Sequence, residues 1–309
     1  MSVKPWIHAS RLRTLPLASA CVMVGGALAF RSAEAEALTA GRFWIVFAAV
    51  LIDVFLLQIL SNWANDWGDF ENGADGPERA DRAVASGAIS ASAMKTAVKG
   101  LAVVSFLMGI GAIALALRGT DLLPAAAGIL LLGIGAIAAA FKYTAGDNPY
   151  GYKGLGDIVV MVFFGWVGVC GSAFLLSHAW DWSWLLPATW SGALSVAVLN
   201  LNNMRDHAND LLAGKRTLVV KWGWKRAKVY HAVCILGGWL AWWIFALVLE
   251  PGMWRGLGWL ALINVVQMGH LLRVWRCDEP QSLDPELKKV ALSTAVAALF
   301  MLLAQTGTA

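Results

Sequence analysis

Two clusters of acidic and amide side chains stand out in a chain that is otherwise strongly apolar. The first contains Asn62, Asp66 and Asp69, which at 100° per residue lie within about 60° of one another on a helix. The second begins with Asn202 and Asp206, which repeat the spacing Asn-x3-Asp. We therefore predict two helix faces that each present several oxygen ligands.

The chemistry that these clusters suit is the binding of a hard divalent cation. Carboxylates that lie close together repel one another, so a cation is needed to neutralise them. Carboxylate and amide oxygens are typical ligands of Mg2+, which often shares its coordination shell with substrate phosphates. The candidate metal ligands are Asp66, Asp69, Asp75, Asp206 and Asp210.

Basic side chains follow each acidic cluster, and these could bind the same phosphates directly. A metal ion and cations together would stabilise a departing diphosphate, leaving an allylic carbocation in a water-poor cavity. The alternative is that the acids are merely solvated or end their helices. The candidate diphosphate ligands are Asn62, Arg79, Arg82, Asn202 and Lys215.

The composition indicates which elements position these residues. Of the 309 residues 59% are hydrophobic and only 14% are charged, whereas a soluble domain carries about 25% charged residues. The sequence predicts an all-α, polytopic membrane protein that forms a single domain over residues 1–309. Apolar runs long enough to span a bilayer lie near residues 14–30, 43–63, 92–117, 122–141, 156–177, 184–203, 227–249, 256–274 and 288–305.

The distribution of basic residues gives these nine spans an orientation. With the N-terminus in the cytoplasm, only Arg31, Arg42, Arg118 and Arg255 of the 24 Lys and Arg residues fall outside, as the positive-inside rule requires. We therefore predict a cytoplasmic N-terminus, an external C-terminus and both acidic clusters on the cytoplasmic side of the cell (inner) membrane. The net charge of +4 reflects these loops, and nothing indicates nucleic acid as a partner.

At the acidic clusters the sequence resembles the UbiA superfamily of membrane prenyltransferases, which have nine transmembrane helices and two Asp-rich motifs that bind Mg2+ and diphosphate. Asn62-x3-Asp66 and Asn202-x3-Asp206-x3-Asp210 match these motifs. The commoner first motif has a further Asp where this chain has Phe70. Asp69 and Asp75 are the nearby candidates to replace it.

That variation, together with residues 11–16, 82–87, 143–157 and 214–218, resembles the 1,4-dihydroxy-2-naphthoate polyprenyltransferases of menaquinone synthesis. The resemblance implies transfer of a polyprenyl group from polyprenyl diphosphate to 1,4-dihydroxy-2-naphthoate, with loss of CO2, giving demethylmenaquinone. It implies that Tyr143, Lys153 and Asp157 help to hold or deprotonate the acceptor, although Tyr143 and Lys153 also suit an interfacial anchor pair. The implied catalytic residues are Asp66, Asp206, Lys153, Tyr143 and Asp157.

Other readings remain open from the sequence. A different aromatic acceptor, such as 4-hydroxybenzoate or homogentisate, would use the same motifs. A transporter would place its acids near the bilayer midplane rather than at one face.

Asp53 is the one acid well inside a span, and we expect it to pair with Gln267 or His270 on another helix. We expect His231 to lie at the membrane interface.

Overall fold

The computed structural model describes residues 3–32, 38–75, 82–250 and 257–307, in which the regular elements are helices and no strand occurs. The all-α prediction is therefore confirmed. In chain order the helices are α1 (Lys4–Ala9), α2 (Leu15–Arg31), α3 (Ala40–Glu71), α4 (Ala91–Leu117), α5 (Leu123–Lys142), α6 (Gly156–Ser177), α7 (Leu185–Leu212), α8 (Leu218–Trp222), α9 (Trp224–Leu249), α10 (Leu257–Arg276) and α11 (Asp284–Thr306).

A helix lies at each of the nine predicted span positions. Within the described residues, eight helices are long and apolar enough to cross a membrane. The exception among the nine is α10, which has 20 residues and carries Asn264, Gln267 and His270. The chain is therefore a multi-pass membrane protein.

Two helices extend well beyond the thickness of a bilayer core. Helix α3 has 32 residues and is about 48 Å long at 1.5 Å per residue, whereas the hydrocarbon core is about 30 Å thick. Helix α7 has 28 residues, which gives about 42 Å. Each long helix ends in one of the two acidic clusters, so both clusters can lie at the membrane surface while their helices remain anchored in lipid.

Local sequence signals fix where several helices begin and end. The side chains of Thr39 and Ser90 accept hydrogen bonds from backbone N–H groups of the first turns of α3 and α4, as N-caps do. After α3 the chain turns at Gly73, whose φ of +71° lies in the left-handed region that favours glycine. After this turn the N–H groups of Ala74 and Asp75 donate to the Asp69 carbonyl oxygen, at 2.8 and 3.3 Å.

Helix α2 packs against α3, α6, α7 and α11. Small residues allow some of these approaches: a Cβ on Gly25 would lie 2.6 Å from Ser172 Cβ on α6. Helix α6 is π-helical over Met161–Cys170, a form often found at functional sites. Gly165 in this segment faces Gly192 of α7 so closely that a Cβ on Gly165 would lie 2.7 Å from Ala188 O.

Candidate active site

Both acidic clusters open into one cavity of about 340 Å3 that is enclosed by α2, α3, α5, α6, α7 and the start of α11. One end is charged, and the other is apolar and runs between the membrane-spanning helices. The charged end is lined by Arg11, Arg13, Asn62, Asn65, Asp69, Asp75, Arg82, Asn202, Asp206, Asn209, Asp210, Lys215 and Lys288. The apolar end is lined by Leu17, Val50, Val54, Leu57, Ile129, Leu132, Phe163, Phe164, Val167 and Leu175.

Asp69 is the centre of the first cluster. It is buried and accepts a hydrogen bond from the Tyr152 hydroxyl at 3.0 Å. Lys215 Nζ lies 3.4 Å from both of its carboxylate oxygens, and Arg82 Nη2 lies 3.8 Å from Oδ2. Arg82 also pairs with Asp75, whose Oδ2 is 3.2 Å from Nε. The structure thus brings together two predicted acids and two predicted phosphate ligands.

Two amide side chains tie the cluster to neighbouring segments. Asn65 Oδ1 accepts hydrogen bonds from Arg11 Nη2 and Arg82 Nη1, each at 3.1 Å. Asn62 Nδ2 donates to Ser10 O at 2.9 Å. Because both contacts reach the segment before α2, the two amides hold the guanidinium of Arg11 over the charged end of the cavity.

Asp66 occupies a position behind the cavity wall. Its Oδ2 accepts a hydrogen bond from the backbone N–H of Ala83 at 3.0 Å, which anchors the loop before α4. Its Oδ1 is buried and has no hydrogen-bond partner among the described residues. A buried carboxylate oxygen without a hydrogen-bond partner is energetically costly.

The second cluster carries a cation of its own. Arg205 donates from Nε to Asp206 Oδ1 at 2.9 Å and from Nη2 to Asp206 Oδ2 at 2.8 Å. Its Nη2 also donates to Asn202 Oδ1 at 2.6 Å. Asp210 lines the same cavity, and its backbone carbonyl accepts from the Lys215 N–H at 2.7 Å. The C-terminal turn of α7 therefore directs Lys215 towards Asp69.

The charges in this end of the cavity control protonation. Burial alone would lower the pKa of Lys215, but the carboxylates of Asp69 and Asp210 outweigh it, so its pKa is raised and it stays cationic. Burial, followed by the field of Asp210 and Asp69, raises the pKa of Tyr143. Burial and then Asp69 raise the pKa of Tyr152. Both phenols are therefore neutral hydrogen-bond donors.

Tyr143 lines the cavity, but the other residues expected beside it do not. Lys153 is exposed, and its carbonyl oxygen accepts a hydrogen bond from Lys221 Nζ at 2.7 Å. Asp157 is buried at the start of α6, next to Tyr230 of α9 rather than in the cavity wall. Lys153 and Asp157 therefore do not line the cavity, although Asp157 is close enough to Tyr143 for its charge to contribute to the raised pKa of that phenol. Arg79 lies outside the described residues.

Sequence reasoning did not select several residues that the structure brings to this site, among them Arg11, Asn65, Tyr152 and Arg205. Asn65 and Arg205 lie inside the two motifs, so a helical projection that included every polar residue would have found them. The contacts of Arg11 and Tyr152 span 54 and 83 residues of sequence, and no local pattern indicates such contacts.

Two expectations about buried polar residues are wrong. Asp53 does not pair with Gln267 or His270: it lines the apolar part of the cavity. Gln267 instead bonds Trp239 and Ser293. His231 is not interfacial but fully buried, with Nε2 at 2.8 Å from His270 Nε2. Because α9, α10 and α11 pack together at these positions, their polar side chains satisfy one another.

The donor chemistry of the cavity fits a divalent cation that enters with a phosphate. Among the described residues, no three His, Cys, Asp or Glu side chains form a group that could hold a metal ion. Mg2+ is commonly bound through one or two carboxylates together with substrate phosphates. Asp69 and Asp206 can supply such carboxylates from two sides of one cavity, and the unpartnered Asp66 Oδ1 lies behind them.

The fold and the cavity define a class: a multi-pass helical membrane protein with a cavity that is charged at one end, apolar at the other, and bordered by two acidic helix ends. The UbiA prenyltransferase family matches residues 18–293. The chain belongs to this family.

Relatives and a solved structure agree with this assignment. A 1,4-dihydroxy-2-naphthoate octaprenyltransferase of Haemophilus influenzae is 39% identical over 296 residues, covering 94% of this chain and 92% of the relative. A protein of the same name from Escherichia coli is 39% identical over 301 residues, covering 96% and 94%. The structure of a UbiA homologue from Archaeoglobus fulgidus bound to DMAPP and Mg2+ has a TM-score of 0.55 at 16% identity, covering 93% of this chain and 98% of that one. At this identity the structural likeness shows the fold alone.

Proposed function

We propose that this protein transfers a polyprenyl group from polyprenyl diphosphate to 1,4-dihydroxy-2-naphthoate. The allylic C–O bond of the donor breaks, a carbon–carbon bond to the acceptor forms, and the acceptor carboxylate leaves as CO2. The products are diphosphate, CO2 and demethylmenaquinone in its quinol form. Relatives that are 39% identical over most of the chain carry the name of this activity.

The observation that carries the proposal is the single cavity that joins both acidic motifs to an apolar interior. A polyprenyl diphosphate has the same division into an anionic head and a long apolar tail. We assign the head to the charged end and the tail to the interior between α2, α3, α5 and α6. Because the interior excludes water, a carbocation formed there is protected from hydrolysis.

At the charged end, the chain's own cations bind the leaving group. Lys215, Arg82 and Arg11 line this end, and we assign the diphosphate oxygens to them, together with Arg79. Arg forms bidentate contacts with phosphate, while the Lys ammonium acts as a point charge. A divalent cation bound with the diphosphate, which we propose to be Mg2+ held through Asp69, Asp75, Asp206 and Asp210, with Asp66 behind them, supplies further neutralisation of the departing charge.

We assign the aromatic acceptor to the region beside Tyr143. The Tyr143 and Tyr150 rings meet edge to face with centroids 5.5 Å apart, and both line the cavity. A neutral Tyr143 hydroxyl can donate a hydrogen bond to an acceptor oxygen. We also keep Lys153 and Asp157 as proposed contributors. Because neither lines the cavity, they would act by positioning Tyr143 rather than by contacting the acceptor.

We further propose that the charged end faces the cytoplasm and that the protein resides in the cell (inner) membrane. The concentration of Lys and Arg in the loops that carry the acidic motifs supports this orientation. A cytoplasmic opening also gives water-soluble 1,4-dihydroxy-2-naphthoate direct access, while the polyprenyl donor enters from the lipid.

The test is a product assay with purified protein in detergent, Mg2+, octaprenyl diphosphate and 1,4-dihydroxy-2-naphthoate. We expect prenylated naphthoquinol, and we expect it to disappear with EDTA. If 4-hydroxybenzoate replaces the naphthoate, we expect no product. Product with 4-hydroxybenzoate alone would contradict the proposed acceptor while preserving the prenyl transfer chemistry.

A further inference from the structure

The second acidic motif includes a basic residue, Arg205, which directly precedes Asp206 on α7. Its guanidinium binds both carboxylate oxygens of Asp206, at 2.9 and 2.8 Å. It also binds Asn202 Oδ1 at 2.6 Å. The oxygens that we assign to the cation and diphosphate are therefore already engaged by a positive charge of the chain.

A second carboxylate holds the opposite edge of the same guanidinium. Arg205 Nη1 donates to Asp284 Oδ1 at 2.7 Å. Asp284 lies in the first turn of α11 with its side chain 45% exposed, whereas that of Asp206 is 12% exposed. Arg13 donates to both oxygens of Asp284, at 3.0 and 3.1 Å. Arg205 thus bridges a partly buried acid that lines the cavity and a more exposed acid, Asp284, that does not line it.

In the first motif, the cations of the chain lie farther from the Asp69 carboxylate. Lys215 Nζ lies 3.4 Å from the Asp69 oxygens, and Arg82 Nη2 lies 3.8 Å from Oδ2. Both separations exceed every contact between Arg205 and Asp206. Short, bidentate, charge-assisted contacts are the stronger ones. The second motif is therefore the one whose carboxylate is harder to free for an incoming cation.

Electrostatics forces a choice between Arg205 and that cation. Like charges that share one carboxylate repel each other, and the repulsion is weakly screened where water is scarce. We propose that Arg205 is an internal counter-ion of the second motif, which moves off Asp206 while keeping its bond to Asp284 when a divalent cation enters with diphosphate. Arg205 then acts as a positioning residue, and Asp284 is its anchor. The proposal rests on the proposed function in taking a divalent cation with diphosphate as the ligand.

The contact between Arg205 and Asp206 should affect how a cation and diphosphate bind together. Without ligand, Arg205 compensates the charge of Asp206 in a cavity that also contains Asp69, Asp75 and Asp210. Displacing Arg205 opposes the binding of a cation by itself, and diphosphate offsets this by supplying negative charge of its own. Metal and diphosphate should therefore bind with positive coupling at the second motif.

The proposal can be tested without catalysis by measuring how tightly the purified full-length protein binds Mn2+. The loss of the EPR signal of free Mn2+ reports the binding. Without diphosphate, we expect Arg205→Gln to bind Mn2+ about 10-fold more tightly than wild type. We expect Asp284→Asn to bind Mn2+ more weakly, because Arg205 loses its alternative partner. In the Arg205→Gln background, Asp284→Asn should no longer weaken binding.

Arg226→Gln is the matched control, since it removes the same charge from an exposed position at the start of α9, and it should leave the Mn2+ affinity unchanged. If Arg205→Gln binds Mn2+ no more tightly than Arg226→Gln, the proposal is overturned. Should Arg205→Gln fail to fold, unchanged affinity in both Arg205→Lys and Asp284→Asn would overturn it equally. The expected Mn2+ shifts in a protein that makes no prenylated naphthoquinol would support this inference and refute the proposed function.

Discussion

At the scale of single residues, Asp69 joins three parts of the chain at the charged end of the cavity. Tyr152 comes from the turn before α6, Lys215 from the turn after α7 and Arg82 from the loop before α4. The contacts with Lys215 and Arg82 depend on the negative charge of Asp69, whereas the Tyr152 hydroxyl needs only an acceptor oxygen. Asp69 therefore orders the cations that we assign to the diphosphate.

We predict that Asp69→Asn lowers prenyl transfer by about 10²- to 10³-fold, the cost typical of removing one preorganised electrostatic group. The amide keeps the shape of the side chain and can still accept from Tyr152, so the loss reports charge rather than folding. Turnover of labelled octaprenyl diphosphate measures the effect. Asp147→Asn, in the exposed turn after α5, should retain full activity, and equal losses in both variants would refute the assignment.

The sequence predicted the acids of this site better than their partners. Asp69 and Asp206 were recognisable because each lies one helical turn from other ligands on the same helix face. The partner of Asp69 at Tyr152 and the partner of Arg205 at Asp284 lie 83 and 79 residues away. Their proximity is created by packing between helices, which no local pattern encodes. The loop of residues 143–157 was correctly placed near the site, but its short helical turn directs Tyr152 inwards and leaves Lys153 exposed.

At the scale of helices, the contact between α6 and α7 determines the wall of the cavity. Gly165 lies in the π-helical part of α6, between Phe164 and the cavity-lining Val167. A Cβ at Gly165 would lie 2.7 Å from Ala188 O and 3.0 Å from Gly192 Cα, both backbone atoms that cannot rotate away. The two helices could then no longer approach as they do.

We predict that Gly165→Ala destabilises the protein by about 1–3 kcal/mol, as overpacking of a well-packed contact does. The melting temperature in detergent should fall accordingly. Gly237→Ala in α9 is the matched control, because a Cβ there meets nothing within 4 Å and alanine favours the helix by up to about 1 kcal/mol. A melting temperature for Gly165→Ala at or above that of Gly237→Ala would contradict the close packing of α6 on α7.

At the scale of the whole molecule, hydropathy gave the number and positions of the long helices because lipid requires continuous apolar runs. It could not give the interior contacts of α9, α10 and α11, where His231 pairs with His270 and Gln267 bonds Trp239 and Ser293. The orientation that we propose rests on a different signal, the distribution of basic residues among the loops, and it would decide from which compartment the acceptor enters.

We predict that the turn between α5 and α6 faces the cytoplasm and the turn between α4 and α5 faces outwards. In a Cys277→Ala background the remaining cysteines, Cys21, Cys170 and Cys234, are buried. A membrane-impermeant maleimide applied to intact cells should label Asp121→Cys, whereas Asp147→Cys should react only after lysis. The reverse labelling pattern would contradict the proposed orientation and would mean that the charged end of the cavity faces outwards.

The central claim is that one cavity couples departure of diphosphate to prenylation and decarboxylation of a naphthoate. The most direct measurement is the ratio of CO2 to diphosphate released by the purified protein from carboxyl-labelled 1,4-dihydroxy-2-naphthoate and octaprenyl diphosphate. We predict one CO2 for each diphosphate in the wild type, and loss of both products in Asp69→Asn and Asp206→Asn. Release of diphosphate without CO2, or CO2 release that persists in both variants, would contradict the account.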